Sequence, residues 1–354
     1  MFEPLTKPHQ RGLLLLLPGA VGGLGAAQLG IPMPYLIGAL AAVATCTIAL
    51  TARGVELAFP KPLRFLFVSL IGTMMGATFA PEQVSLLSQL WVSLLAMVLF
   101  VVLAHTLSFF IYTRLGSYDR VTATFAAMPG GLIEAVAIGT EAGADARVLS
   151  VQHFARIVIV VTVVPFLFWL WQGEAVGSAA GQVLSTAPPT VRDVALIAIV
   201  ACAGLWLGPR LRLPAAHLTG PLLLSALLHG AGLLNVASPN WLLNGAQWGV
   251  GTGLGTMFGG ATLALLARAF GFGLIVVAAV LVLSMIFALG LSQILPLPLD
   301  VLFISFAPGG VTEMGLIALS LGVSPLLVAI HHLFRILLMA MAAGYIARRM
   351  PQSN

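Results

Sequence analysis

Charge is the scarcest property of this sequence. Only 8% of its 354 residues are Asp, Glu, Lys or Arg, while 60% are hydrophobic and the mean hydropathy is +1.06. A soluble domain carries roughly 25% charged residues, so a water-soluble fold of this size is excluded. Cysteine is almost absent as well. Cys46 and Cys202 stand alone inside apolar stretches, which supports neither a CxxC site nor a disulfide framework. No run of five or six Lys/Arg occurs and no aromatic-basic strip accompanies the bases, so the net charge of +5 does not indicate nucleic acid. HExxH, P-loop, GxSxG and Rossmann signatures are all missing. An energising ATPase would have to be another chain.

Long apolar runs take the place of charge. Leu86–Ile111 and Phe272–Leu295 are two of several windows able to supply the ~20 residues that a bilayer crossing needs. The start, with Lys7 and Arg11 before Leu13–Leu17, has the look of a signal peptide. The second half holds a counterpart of this segment, so it is read as a retained helix.

The chain repeats itself. Met128-Pro129-Gly130-Gly131-Leu132-Ile133-Glu134 returns as Ala307-Pro308-Gly309-Gly310-Val311-Thr312-Glu313, 179 residues later. At the same offset Gly72, Gly76, Phe79, Gly143, His153 and Arg156 match Gly251, Gly255, Phe258, Gly322, His332 and Arg335. Nearer the start, Pro32, Leu36, Gly38 and Leu40 match Pro214, Leu218, Gly220 and Leu222 at an offset of 182. The sequence thus divides into a first membrane repeat, 12–173, and a second, 190–349, forming one membrane domain. Gly72-x-x-x-Gly76 and Gly251-x-x-x-Gly255 are small-residue faces that let helices approach closely. An intramolecular packing face is preferred to a dimer motif, and a homodimer stays open.

Five spans are expected in each repeat: near 12–30, 33–52, 65–80, 88–113 and 148–171, then near 192–209, 214–234, 241–262, 272–295 and 325–347. The Pro-Gly-Gly stretches, 122–139 and 301–319, either cross the membrane or dip in and return. If they dip, Lys7, Arg11, Arg53, Lys61, Arg64, Arg114, Arg120, Arg147, Arg210, Arg212, Arg268, Arg348 and Arg349 all face the cytoplasm. Arg192 alone lies outside, and Arg156 and Arg335 sit within spans. Crossing would move Arg210, Arg212 and Arg268 outside, against the positive-inside rule. The expectation is therefore an all-α integral inner-membrane protein of about ten transmembrane helices, with both termini cytoplasmic. Its two five-helix repeats are inverted, each with a re-entrant or broken Pro-Gly-Gly half-helix, as in many secondary transporters.

Pro129 and Pro308 suit a helix start, and Gly130, Gly131, Gly309 and Gly310 allow a tight entry. A half-helix beginning there turns its free N–H groups and positive dipole end inward, which favours an anion or polar ligand. A glycine-rich crossing of two packed segments is the plainer alternative. Glu134 and Glu313 fall in the first turn, where a carboxylate caps the dipole. At membrane depth they are also candidates for proton carrier, cation ligand or arginine partner. His153 and Arg156 share one helix face, as do His332 and Arg335. Both arginines lie ~14–15 Å into their spans, so each needs a partner: a glutamate, an anionic solute, or a permanent Arg–Glu brace. His331 breaks the repeat, because its counterpart is Gln152. His105, His217 and His229 are read as interfacial.

The duplicated unit, with PGGxxE near its end and HxxR in the next helix, resembles the bacterial membrane AbrB family across essentially the whole chain. Members carry labels such as AbrB duplication protein, ammonia monooxygenase or regulator, and the family shares its name with an unrelated small DNA-binding regulator. The resemblance implies an inner-membrane protein of about ten helices and a role in regulating gene expression. DNA contact is not expected, since no soluble segment exceeds a loop. Monooxygenase chemistry lacks a His/carboxylate set at metal-ligand spacing. The leading expectation is a secondary transporter of a small, anionic solute, using Pro129, Gly130, Gly131, Glu134, His153, Arg156, Pro308, Gly309, Gly310, Glu313, His332 and Arg335. It needs the lipid bilayer and no cofactor beyond a coupling H+ or Na+. A membrane regulator acting through a partner is the alternative. An intramembrane enzyme is disfavoured, for want of a nucleophile–base or metal set.

Overall fold

The computed structural model describes residues 8–79, 89–173 and 188–349, so Lys7 and both chain termini lie outside the described residues. Among the described residues, fifteen α-helices follow in order: α1 Pro8–Leu14, α2 Leu16–Gln28, α3 Pro34–Thr51, α4 Lys61–Ala77, α5 Leu90–Arg114, α6 Arg120–Ala126, α7 Leu132–Glu141, α8 Ala146–Gln172, α9 Val191–Arg210, α10 Ala216–Gly230, α11 Asn240–Gly255, α12 Leu263–Ser292, α13 Leu299–Phe306, α14 Val311–Ser320 and α15 Pro325–Arg349. No strand occurs among the described residues.

Six of these helices, α3, α5, α8, α9, α12 and α15, are long and apolar enough to cross a membrane. The remaining four expected spans are helical but shorter. α2, α4, α10 and α11 have 13, 17, 15 and 16 residues. At 1.5 Å per residue they reach ~20–25 Å against a ~30 Å hydrocarbon core. Glycine punctuation ends three of them. Gly30 (φ 66°) and Gly232 (φ 68°) sit just past α2 and α10, and Gly259-Gly260 follows a 3-10 turn after α11.

The chain forms two compact units, each drawing on both halves of the sequence. The first takes Met1–Pro81, Thr162–Ala261 and Gly315–Leu326. Its helices touch backbone to backbone. A Cβ on Gly72 would come within 2.5 Å of the Leu218 carbonyl, and one on Gly251 within 2.4 Å of the Leu36 carbonyl. Leu36 and Leu218 are themselves repeat partners. The two small-residue faces therefore serve the interior of this unit, each seated on a helix from the other half. The Ser225 hydroxyl donates to the Thr73 carbonyl at 2.8 Å across the same contact.

The second unit comprises Glu82–Val161, Thr262–Met314 and Leu327–Asn354. Phe100, Phe287 and Phe306 pack together with ring centroids 5.1–5.6 Å apart. The Ser284 hydroxyl reaches the Phe306 carbonyl at 3.1 Å, which helps to satisfy the end of α13. Both Pro-Gly-Gly turns and both His-x-x-Arg pairs belong to this unit.

Candidate functional site

Each Pro-Gly-Gly turn divides a helical segment in two: α6 from α7, and α13 from α14. A break of this kind inside apolar surroundings leaves carbonyls unsatisfied at the end of the first piece and N–H groups unsatisfied at the start of the second. The sequence supplies side chains for both ends.

Histidine and arginine close the carbonyl end. His153 Nε2 lies 3.0 Å from the Phe125 carbonyl, and His332 Nε2 lies 3.0 Å from the Ile304 carbonyl. A carbonyl only accepts, so Nε2 carries the proton in both rings. Arg156 Nη1 donates to the Met128 carbonyl and Arg335 Nη1 to the Ala307 carbonyl at 2.6 Å. Donors and acceptors alike are 179 residues apart. Arg335 goes further. Its Nη2 donates to the Gly309 carbonyl and to His332 Nδ1, the latter at 2.7 Å. Cationic groups at a helix C-terminus also meet the negative end of its dipole.

Glutamate sits at the N–H end. Gly131, at φ 63° and ψ 53°, precedes the first residue of α7, and Glu134 falls three residues later, folded back over it. Its Oε2 would lie 3.2 Å from a Cβ on Gly131, and Glu313 Oε2 only 2.2 Å from one on Gly310. This is the position from which a carboxylate compensates a helix start. The two turns use glycine differently. Gly130 (φ 138°) and Gly131 adopt backbone angles that a side chain would strain, whereas Gly309 and Gly310 make room for Met314 and Glu313.

Guanidinium partners are thus main-chain carbonyls, where the sequence alone pointed to Glu134, Glu313 or a solute. Pairing through carbonyls leaves each cation uncompensated by this contact. Arg335 is 1% exposed and Arg156 7%, and the Nε of each is buried without a hydrogen-bond partner. The two arginines are within electrostatic reach of one another. The turn of the first half meets the arginine of the second, because a Cβ on Gly130 would lie 3.5 Å from Arg335 Nε. Pro129-Gly130-Gly131, Arg156, Pro308-Gly309-Gly310 and Arg335 therefore form one cluster, with His153 and His332 behind the arginines.

Turn, glutamate, histidine and arginine thus recur in corresponding places in both halves. The AbrB family model, described as "Transition state regulatory protein AbrB", matches residues 35–350. The chain belongs to the AbrB family. It is similar to "Putative regulator AbrB" of Escherichia coli (strain K12), with 24% identity over 309 residues, 87% of this chain and 87% of that protein. It is also similar to "Uncharacterized protein YhjN" of Bacillus subtilis (strain 168), 25% identical over 347 residues, 93% of this chain and 90% of that protein.

Several polar residues near the cluster were not singled out from the sequence. Tyr112 is buried in α5 within electrostatic reach of Arg156, and Tyr118 and Arg268 join it through Gln152. The Gln152/His331 mismatch between the repeats is the one sequence signal that touches this group. His331 itself bridges the Leu327 carbonyl and the Ser93 hydroxyl, both at 2.8 Å. His105, expected at an interface, lies in α5 against the main chain of Ala127, beside the first turn. His217 stacks on Phe65 at 3.6 Å, and His229 Nδ1 lies 2.8 Å from the Ser225 carbonyl. Among the described residues, no group of three or more His, Cys, Asp or Glu is placed to hold a metal ion.

Proposed function

We propose that this chain is an inner-membrane secondary transporter for a small anionic solute, bound at the paired Pro-Gly-Gly turns. One observation carries the reading. Two buried arginines converge on glycine turns, bonded to carbonyls and each with an unused Nε–H. An ionised group inside a bilayer needs compensation, and a solute carboxylate or similar anion would supply it. Transport fits the supporting features better than catalysis does: apolar spans, broken helices and a duplicated sequence. The charge count adds inverted repeats with cytoplasmic termini, the two turns entering from opposite faces. Glu134 and Glu313, which lie over the glycine turns, are then the groups to carry a coupling H+ or Na+.

A second reading draws on names. The family description and the Escherichia coli relative's name both speak of regulation. A membrane-embedded regulator would act through a protein partner, with the arginine cluster as its sensor for the anion.

Flux separates the two. In proteoliposomes holding the purified chain, uptake of one member of a panel of small mono- and dicarboxylates is expected. Arg156→Ala should abolish it while the protein still purifies as a folded species. Binding without flux for every solute tested, together with a co-purifying cytoplasmic partner, would overturn transport in favour of sensing.

A further inference from the structure

Just above Arg156 in the second unit, the α5–α6 connection is tied down by a group of side chains that anion binding does not explain. Ser117 takes φ 50°, a conformation that non-glycine residues seldom adopt, and Gly116 approaches the Tyr112 carbonyl so closely that a Cβ would lie 2.6 Å away. This tight turn places Tyr118 over Tyr112, with centroids 5.5 Å apart and planes 10° from parallel. The Tyr118 hydroxyl donates to Gln152 Oε1 at 2.9 Å, and Gln152 Nε2 donates to the Ala269 carbonyl at 3.1 Å. Arg268 donates to the Gly116 carbonyl and lies 4.9 Å over the Tyr118 ring, while Phe272 meets the ring edge-on at 6.3 Å. Gln152 sits one helical turn before Arg156. Asp119, next to Tyr118, caps α6 by accepting from the Thr122 N–H at 2.9 Å. The turn is therefore coupled to both the arginine helix and the broken segment.

Among the described residues, the other half shows no such group. At the offset of 179, Tyr112, Tyr118 and Arg268 correspond to Leu291, Leu297 and Gln89, and Gln152 to His331. Leu291 and Leu297 are buried apolar side chains. One half thus carries a polar, aromatic latch at positions where the other has leucines.

We infer that Tyr118, held by Arg268 and Gln152 over Tyr112, is a gate that closes the way to Arg156 from the face carrying Arg114, Arg120, Arg147 and Arg268. The inference rests on the transport reading above, and it assigns that reading's cytoplasmic gate to named groups. Opening requires the release of the Tyr118 hydroxyl from Gln152 and of its ring from Arg268, Tyr112 and Phe272. Each of these is individually a weak contact: one hydrogen bond, one cation–π contact and two ring contacts.

Amide hydrogen exchange of the whole protein in nanodiscs tests the gate without knowledge of the solute. In Tyr118→Ala and Arg268→Ala, exchange over 128–135 should rise about tenfold, while exchange within α12 stays unchanged. Tyr118→Phe keeps the stack but loses the hydroxyl, and should fall between these and the parent. Tyr345→Ala, which removes the ring beneath Arg349 in the same unit, is the control. Unchanged exchange over 128–135 in Tyr118→Ala overturns the gate, and so does a rise spread evenly over the unit, which marks a structural brace. Parallel flux measurements keep the two readings apart. Local opening with no flux of any solute retains the gate as a water barrier and counts against transport. Solute flux with unchanged exchange leaves transport standing and removes the gate.

Discussion

Replacing Arg335 should unsettle the fold more than replacing Arg156, although the two occupy equivalent positions in the repeat. Arg335 holds the Ala307 and Gly309 carbonyls and orients His332, and it is almost wholly buried. A hydrogen bond from a charged donor contributes about 1.5–3 kcal/mol, and each buried carbonyl left without its partner costs about 1–3 kcal/mol. Methionine fills most of the vacated volume, and removing a desolvated cation offsets part of the loss. The net penalty for Arg335→Met is about 2–4 kcal/mol. Arg156 holds the Met128 carbonyl, so Arg156→Met should cost about 1–2 kcal/mol. At ~2 °C per kcal/mol for a chain of this size, the thermal midpoints fall by about 4–8 °C and about 2–4 °C respectively. The assay is a melting curve of each purified variant in one detergent, read by intrinsic tryptophan fluorescence. Equal shifts, or a larger shift for Arg156→Met, would refute the claim that carbonyl capping is what Arg335 does.

Three further outcomes follow from the geometry. Gly130→Ala should cost about 1–2 kcal/mol through backbone strain at φ 138°, with or without Glu134→Ala, whereas the loss in Gly310→Ala should be largely relieved by Glu313→Ala; melting of the four variants checks this. Phe306→Ala, emptying the centre of an aromatic trio, should destabilise by about 3–5 kcal/mol, and a midpoint within error of the parent would contradict the packing described. Single cysteines at positions 147 and 268 in a background lacking Cys46 and Cys202 should react with an impermeant maleimide only from the cytoplasmic side; labelling of either from the periplasm would sink the re-entrant arrangement.

Helical class and the residues that gather in one place were legible in the sequence for a physical reason. Scarce charge in a long apolar chain leaves helices as the natural way to satisfy the backbone. A duplicated motif also exposes its constrained positions by internal comparison. Gly72 and Gly251 were read as packing faces, and the carbonyls of Leu218 and Leu36 against them bear this out. Less legible were contacts between backbone and side chain. Nothing in the spacing of His153 and Arg156 says that their partners are the carbonyls of Phe125 and Met128, because every residue carries a carbonyl. Electrostatic reasoning looks for a charge of opposite sign, and therefore favoured Glu134 and Glu313. Helix length was also misjudged, since α2, α10 and α11 end at glycine turns that an apolar run does not reveal, and α4 stops at Ala77. Tyr118 was missed because it stands in a short polar connection, and its importance depends on Arg268, which is 150 residues away.

Capping at both sides of each break narrows what a ligand could contribute. The carbonyl end of α6 is held by His153 and Arg156, and the N–H end of α7 lies under Glu134. A solute is therefore not required to complete the helices, which explains how broken segments can persist in an apolar unit without one. What the caps leave over is positive: the Nε–H of Arg156 and of Arg335. A cation arriving here would meet two guanidiniums, and a neutral solute would leave their charge uncompensated. An anion with oxygens directed at both Nε groups gains charge-assisted hydrogen bonds that the protein itself does not make. The lysine variants separate this role from capping. Arg156→Lys keeps a positive charge able to reach one carbonyl but loses the planar Nε–H, so anion binding should weaken by at least about tenfold while the melting point stays near that of the parent. If Arg156→Lys binds the same carboxylate as well as the parent, the Nε–H groups are structural leftovers and the anion site lies elsewhere.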